Sequence, residues 1–423
     1  MMRFTTTASL AAICAACATV ESQTADLVET AVSEPEEVME VIEPAMTAEK
    51  KVKPPATDYT PIAKRVVTEA AGVQPGDIVV LAVSRAELEI ADALVEQVWI
   101  AGGQPVVILD TPMADRGGLM NAPMEMLSQS PKGQMAIAEM GDVFIDASAI
   151  SDPGIFADVP EERLNLVREA SIELSAMFAA KQGRSVDLGQ AGGIPTKAYA
   201  KSRGADYQTM RANFFEALAV PIEDLTAAGA VVQRKALPGS SMRLTSPLGT
   251  DLTFTLADDE TRLSAGIAAD NDTGEGLSTT FLPAGDFYAC VDPSSVNGTL
   301  VQSSLSFRGV PVTNISMSYT DGMMTEISAE AGGELVSAYF DELDDASKML
   351  TVINLGLNPA SQPIDGSDYL SWEMSGIVTA ALGNAIWAGC GSDAEGFFAV
   401  HLDGTTLSAS DAIIVADGAL VTD

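Results

Sequence analysis

The only histidine of this 423-residue chain lies in a segment whose residue types could bind a metal ion. His401 and Asp403 end the apolar run Phe398-Ala399-Val400 with the spacing His-x-Asp. Residues i and i+2 of a strand point to the same face, so the imidazole and the carboxylate would project side by side. Zinc sites use three or four protein ligands, so further ligands must come from other parts of the chain. The alternative is a structural pair at the end of a strand.

The elements that must position these residues differ between the two halves of the chain. Continuous apolar runs at 78–83 and 105–109 alternate with helical spacing, which predicts a parallel sheet covered on both faces. Beyond Leu244 the pattern changes to short strands and frequent turns. We therefore predict an α/β protein with two domains. Residues 59–238 form an N-terminal domain with a parallel sheet flanked by helices, and residues 239–423 form a mixed α+β domain.

The chain is strongly acidic, with 59 Asp and Glu against 23 Lys and Arg and a formal net charge of −36. Nucleic acids and anionic membrane surfaces require basic patches, so we expect no nucleic-acid partner and no membrane contact by the folded body. Hydrophobic residues make up 47% of the chain, which is enough for the cores of two domains. The sequence contains neither a Walker loop nor a nucleophile elbow of the G-x-S-x-G type.

Residues 1–18 are typical of a signal peptide, with a positive start at M-M-R and a short apolar core at 9–17 that cannot span a bilayer. The sequence A-A-C ending at Cys17 resembles a lipobox, which would make Cys17 the lipidated first residue. Alternatively, A-C-A ending at Ala18 directs cleavage before Thr19. We favour the lipoprotein, because Cys17 otherwise has no explanation.

The segment 19–58 separates this signal from the folded body. It is rich in Glu, Ala, Val, Thr and Pro, and it contains no aromatic side chain before Tyr59. Such a composition buries too little apolar surface to offset the entropy of ordering, so we predict an acidic, disordered stalk. The expected location is the periplasm, with a lipid anchor in a bacterial membrane.

Eight segments between residues 60 and 423 match the motifs of one enzyme family in the same order. They are GVQPGD at 72–77, VEQVWIAGGQP at 95–105, GTDLTF at 249–254, LPAGDFY at 282–288, VNGT at 296–299, GLNP at 356–359, GIVTAALG at 376–383 and HLD at 401–403. The fourth, sixth and seventh are similar to L-P-x-G-E-V-F, G-T-N-P and G-T-x-H-I-A-x-G. On these motifs the chain resembles the thermophilic metallopeptidase family of aminopeptidases, the aminopeptidase T and aminopeptidase S group.

The resemblance implies a hydrolase that removes N-terminal residues from peptides, with its metal cleft in the second domain. It also implies a homodimer, a peptide substrate and a pair of divalent metal ions, zinc or cobalt. Two glutamates, two histidines and an aspartate hold the metals in this family, with a tyrosine nearby. Two metals can bridge a water, lower its pKa and polarise the carbonyl that is attacked.

Transferring the ligands residue by residue retains three of them. Asp286 stands at the first glutamate position, where it keeps the carboxylate but is one methylene shorter. His401 and Asp403 match the family fully. The resemblance therefore predicts that Asp286, His401 and Asp403 hold one metal ion.

The remaining family positions hold residues that bind metals poorly or not at all. Val352 replaces the second glutamate, Thr379 replaces the first histidine and Ile386 replaces the tyrosine. Cys290 and Cys390 could serve as substitute ligands, or they could be buried thiols or a disulfide.

Two functions follow from this reduced ligand set. The chain is either an active metal-dependent aminopeptidase with one metal, or a non-catalytic peptide-binding lipoprotein that kept the cleft. The ligand count favours the second hypothesis. A further carboxylate beside His401 would favour the first, and Glu373 and Asp393 are the candidates close to the motif in sequence.

The first prediction concerns processing of the N-terminus. Because the short apolar core ends at Cys17 and the acidic stalk follows, we expect the mature protein to begin at a lipid-modified Cys17. Mass spectrometry of the mature N-terminus measures this directly. An unmodified chain beginning at Thr19 would favour the alternative cleavage, and an intact Met1 in the cytoplasmic fraction would exclude both.

Overall fold

The computed structural model describes residues 58–148, 154–188, 194–258, 261–271, 276–307, 310–364, 367–410 and 412–422. The predicted signal peptide, the lipidation site at Cys17 and the stalk up to residue 57 lie outside these ranges. No helix within them has the length and apolar character needed to cross a membrane.

A five-stranded parallel sheet forms the first layer of the protein, in the order β2-β1-β3-β4-β8. Its strands are β1 (Ile78–Ser84), β2 (Gln104–Asp110), β3 (Val143–Ala147), β4 (Gly183–Leu188) and β8 (Leu277–Leu282). All of β3 and all but the first residue of β1 are buried, because helices cover both faces. The predicted parallel sheet flanked by helices is confirmed.

Ten helices surround or follow this sheet within the described part of the chain. They are α1 (Thr60–Lys64, continued by a π-helical segment at Arg65–Ala70), α2 (Leu88–Ile100), α3 (Pro112–Asn121), α4 (Met124–Leu127), α5 (Lys132–Met140), α6 (Glu161–Ala170), α7 (Ile172–Ala180), α8 (Lys197–Ser202), α9 (Tyr207–Leu218) and α10 (Ile222–Lys235). Helices α1, α2 and α9 pack on the face that carries Leu81, and α5 and α7 pack on the face that carries Val80. The sheet therefore has an apolar layer on each side.

The second layer is a larger, mainly antiparallel sheet of twelve strands. Its strands are β5 (Ser241–Thr245), β6 (Asp251–Leu256), β7 (Arg262–Ser264), β9 (Asp286–Phe307), β10 (Val310–Thr320), β11 (Met323–Ser328), β12 (Leu350–Gly356), β13 (Val378–Gly383), β14 (Phe397–Leu402), β15 (Thr406–Ala409), β16 (Ala412–Ala416) and β17 (Ala419–Leu420). Helices α10 and α11 (Gly333–Asp341) contribute Val232, Val336 and Phe340 to the core on one face of this sheet. The long strand β9 is central, because it pairs with β6, β7, β10 and β12.

Strand β8 differs from the sequence-based expectation. It follows the predicted boundary at 238, yet it pairs in parallel with β4 of the first sheet. The chain then passes through the cis peptide bond Leu282-Pro283 and enters β9 at Asp286. Gly285 has φ +119°, and a Cβ there would lie 3.0 Å from Cβ of Asn358. This close turn fixes the start of β9 against both layers.

The second prediction compares two leucines of the parallel sheet. Leu81 is fully buried in the central strand β1, whereas Leu109 on the edge strand β2 is 46% exposed. Leu81→Ala should lower the free energy of unfolding by about 2–5 kcal/mol, because it removes buried methyl groups and leaves a cavity. The same substitution at Leu109 should cost less than about 1 kcal/mol. Urea denaturation of both variants measures this, and equal losses would contradict the layer arrangement.

Candidate functional site

Five polar residues form a line across one face of the second sheet. Register pairs Arg262 of β7 with Tyr288, Tyr288 with Asn354, Asn354 with Thr379, and Thr379 with His401. Residues directly opposite each other in antiparallel strands project from the same face, so all five lie on one face of the sheet, where Tyr288, Asn354 and Thr379 are 8%, 0% and 0% exposed. Neighbouring strands lie about 4.8 Å apart, so the line is about 19 Å long. We call these five residues the polar row.

Burial of the residues on the opposite face of these strands determines which way the polar row faces. Phe287, Ile353, Ala380 and Val400 alternate with the row and are buried in the core of the second layer. Because side chains alternate with a period of two, burial of these residues commits their neighbours to the opposite face.

Asp286 lies beside the polar row at the start of β9. It is only 1% exposed, and its Oδ2 accepts a hydrogen bond from Nδ2 of Asn354 at 2.9 Å. Gly285 precedes it and Gly356 faces it across the ladder, so its backbone is closely held. The carboxylate predicted as a metal ligand is thus buried and receives a neutral amide donor.

Thr379 and His401 lie next to each other. The resemblance implies this closeness, because it assigns both positions to metal ligands. Thr379 Oγ1 and His401 Nδ1 form a hydrogen bond of 2.8 Å, and Trp372 contacts the imidazole edge-on with ring centroids 5.3 Å apart. The backbone carbonyl of His401 accepts from Nε2 of Gln302. The only imidazole of the chain therefore has a fixed orientation.

The predicted metal ligands are not assembled into one group. Asp403 follows the end of β14 and is exposed, whereas Asp286 is buried three strands away from His401. Within the described ranges, no cluster of three or more His, Cys, Asp or Glu side chains is placed so that it could hold a metal ion. Neither Asp393, which is exposed, nor buried Glu373 completes such a group.

The Glu373 carboxylate interacts electrostatically with the phenol of Tyr369 instead. Burial, the Tyr199 phenol and the Glu373 carboxylate each raise the pKa of Tyr369 above its ordinary value, whereas Arg211 lowers it. Glu373 and Tyr369 are both buried, and Tyr369 belongs to the core that packs on the parallel sheet.

Cys290 and Cys390 form a disulfide, with an S–S distance of 2.04 Å and 5.3 Å between Cα atoms. Of the three alternatives left open by the sequence, the structure has the disulfide, and bonded sulfurs provide no thiolates for a metal ion. Cys290 faces Val352 across the ladder, and Cys390 lies in the loop after the 3₁₀ turn Ile386–Ala388. The disulfide ties this loop to the sheet face that carries the polar row.

The two remaining positions that the resemblance assigns to the site, 352 and 386, hold apolar side chains, one buried and one exposed. Val352 is fully buried in a cluster with Tyr288 and Ala381, whereas Ile386 is 60% exposed on the loop. An apolar side chain thus fills the space where the resemblance places a glutamate, and the side chain at the position of the family tyrosine is exposed.

An aromatic cluster packs against the same surface. Trp372 stacks nearly parallel to Phe397, with an interplanar angle of 17°, and Trp387 stands perpendicular to both rings at 84°. Tyr288 contacts Trp387 with ring centroids 6.0 Å apart. These rings give the site an apolar wall next to its polar row.

Sequence reasoning did not identify Arg262, Asn354 or Trp372 as site residues. Asn354 could have been found from strand periodicity, because it stands two residues after Val352 and shares its face. No sequence pattern pointed to Arg262 or Trp372, because they lie on segments that are distant in sequence from the other residues of the site.

Comparison with known proteins gives the family. The sequence profile of the thermophilic metalloprotease family (M29) matches residues 57–385, which is most of the chain but stops before His401. Wild-type AmpT from Thermus thermophilus has a similar structure, with TM-score 0.61 and 16% identity over 86% of this chain and 98% of that chain. No curated protein sequence matches.

A second similar structure is 2,5-dihydroxypyridine dioxygenase from Pseudomonas putida KT2440, with TM-score 0.53 and 14% identity over 87% of this chain and 99% of that chain. At these identities both structures establish the fold alone. The family profile, together with the two-layer fold, confirms the resemblance found in the order of the sequence motifs. The chain belongs to the thermophilic metalloprotease family M29.

Proposed function

We propose that this M29-family protein is a non-catalytic peptide-binding protein that is exported and anchored to a bacterial membrane through lipid on Cys17. The observation that carries the proposal is the content of the cleft face. Its family ligand positions hold Val352 and Thr379, and the carboxylate of Asp286 is paired with the amide of Asn354. A face with these groups has fewer metal ligands than the family pattern, which favours a binding role over metal-dependent catalysis.

The divalent metal implied by the family, zinc or cobalt, does not fit the residues present. Val352 offers no lone pair and Thr379 is a poor zinc ligand, so the two positions beside His401 and Asp286 supply no strong metal ligand. The disulfide also withholds both sulfurs. The alternative proposal of an active aminopeptidase with one metal at Asp286, His401 and Asp403 is less well supported, because no described cluster could hold the ion.

The aromatic cluster beside the polar row supports a peptide ligand. Tyr288, Asn354 and Thr379 within the row are 8%, 0% and 0% exposed, so a peptide would contact the half-buried ends at Arg262 and His401 rather than cover the row. The rings of Trp372 and Trp387 supply apolar contact area beside it. Small-molecule and peptide sites commonly combine such an apolar wall with a few oriented polar groups.

Location and assembly are part of the same proposal. Disulfides persist in oxidising compartments such as the periplasm, so the Cys290–Cys390 bond supports export. We also propose a homodimer, as the resemblance implies, and no nucleic-acid partner, given the net charge of −36. Membrane contact would be made only through the lipid on Cys17.

The third prediction tests binding without catalysis. Purified protein should contain less than one equivalent of divalent metal, and titration calorimetry should detect saturable binding of a short peptide that a chelator leaves unchanged. Aminoacyl-anilides should show no hydrolysis that His401→Ala or Asp403→Ala abolishes. Turnover that disappears with chelator and returns with cobalt or zinc would overturn the proposal, and so would the absence of peptide binding.

A double substitution at two family ligand positions tests the same prediction more directly. Val352→Glu combined with Thr379→His should raise affinity for zinc, because it restores two ligands next to His401 and Asp286. The matched control is Val352→Gln with Thr379→Asn, which has similar volume but weaker metal ligands. Equal zinc affinity of the two double variants in a competition assay would show that these positions are not the ligand positions.

The fourth prediction concerns the disulfide. Replacing both Cys290 and Cys390 by serine should lower the free energy of unfolding by about 2–4 kcal/mol, because a cross-link over 100 residues restricts the unfolded chain. Wild-type protein with reductant should show the same loss, and the serine variant should not respond to reductant. Two reactive thiols in protein isolated from its own host would contradict both the bond and the proposed compartment.

A further inference from the structure

Strand β2 is an open edge of the parallel sheet. Within the described ranges, β1 is the only strand that pairs with it. The amide of Gln104 donates to the carbonyl of Asp77, which precedes β1, so the even-numbered residues of β2 bond inward. Successive residues of a strand alternate in direction, so the backbone groups of Val107 and Leu109 point away from the sheet. Outward N–H and C=O groups of this kind are a template for a further strand.

The side chains around this edge are apolar and exposed. Val107 and Leu109 are 48% and 46% exposed on the face that carries Leu81. Helix α2 packs on the same face and contacts β2, and its last residues, Trp99 and Ile100, are 62% and 67% exposed. Exposed apolar groups that lie together on a protein surface mark interaction sites.

The same region carries no charge. The run 97–109 contains no Asp, Glu, Lys or Arg, although 19% of the residues in the chain are charged. The formal net charge of −36 makes copies of the chain repel each other, so contact between copies is favoured where acidic side chains are absent. Aromatic side chains without charged neighbours are also typical of the centre of a protein interface. The region therefore suits a second copy of this chain.

A twofold axis at Val107 makes the edge complementary to itself. Antiparallel pairing about this residue places Pro105 opposite Leu109 of the second copy, and Gln104 opposite Asp110 of the second copy. The two Val107 residues would bond each other in both directions, and each Leu109 amide would donate to the Pro105 carbonyl across the axis. Pro105 has no N–H, so only the Leu109 carbonyl is left to water. Asp110 is the one charged residue of β2, and it meets a neutral amide, so no like charges face each other.

We propose that β2 pairs with β2 of a second copy across a twofold axis at Val107, which joins the two parallel sheets into one continuous sheet. The two α2 helices, with Trp99 and Ile100, lie on the same side of this joint. The inference rests on the homodimer that is part of the proposed function, and it assigns the surface that forms it. The polar row and the aromatic cluster belong to the other sheet, so peptide binding does not depend on this interface.

The fifth prediction places charges on the twofold axis of the full-length mature protein. Val107→Lys should raise the dissociation constant of the dimer by about 100-fold or more, because two ammonium groups would face each other, and Val107→Glu should do the same. An equimolar mixture of the two variants should form a heterodimer, since opposite charges then meet on the axis. Sedimentation velocity measures the association of each sample, and native mass spectrometry identifies the heterodimer by its mass.

Two variants control for indirect effects. Val107→Thr has a similar volume and no charge, so it should change the dissociation constant by less than about 10-fold. Ile413→Lys adds the same charge to a residue of β16 that is 47% exposed, and it should leave the dimer intact. Thermal unfolding of every variant checks that the fold is retained.

The outcomes separate this interface from the homodimer and from peptide binding. A dimer that the Lys and Glu variants retain with wild-type affinity would overturn the β2 interface while the homodimer stands. Failure of the mixed variants to associate would overturn the twofold axis at Val107. Loss of peptide binding in Val107→Lys would show that a peptide adds to this edge as a strand, which would overturn the pairing of copies. Wild-type protein that stays monomeric at high concentration would overturn the interface and the homodimer together.

Discussion

The antiparallel ladder through β7, β9, β12, β13 and β14 is the constraint on which the site depends. Its register decides which side chains face the core and which form the polar row, because a slip of one residue would exchange the two sets. The core face is continuously apolar, so the register is strongly determined by burial. Strand β9 begins at a glycine turn that touches both layers, and this turn fixes the ladder relative to the parallel sheet. The geometry of the site therefore follows from packing on its far side.

A face that binds metal ions carries negative charges that the ions neutralise. Without the ions, those charges need other partners. Neighbouring carboxylates without a cation repel each other, and buried polar atoms without partners cost free energy. In this chain local pairs meet part of that cost, although the buried Oδ1 of Asn354 has no hydrogen-bond partner among the described residues. Asn354 donates to Asp286, Thr379 bonds to His401, and the space of a lost glutamate is filled by Val352 in an apolar cluster. The cysteines close a covalent link across the same face. These contacts connect the strands of this face through the protein's own side chains.

Much of the fold could be predicted from the sequence, because the runs that form β1, β2 and β3 are apolar on both faces and the helices between them are amphipathic. The return of β8 to the first sheet could not, since a short alternating strand does not specify its partner. Within the site, the family motifs predicted that Thr379 and His401 would lie close together. The pairing of Cys290 with Cys390 stayed open, and Arg262 was missed, because their contacts join segments 100 or more residues apart in sequence.

The charges on this face differ from those of a cleft that holds metal ions. A metal cleft is a concentrated positive charge, which draws in carboxylate ligands and can bind the amine of a peptide or polarise its carbonyl. In this chain Arg262 stands at one end of the row, and the neighbouring carboxylate of Asp286 is buried and accepts a hydrogen bond from Asn354. The chemistry of this face can change through its side chains alone, because the ladder that presents them keeps its register through burial on the opposite face.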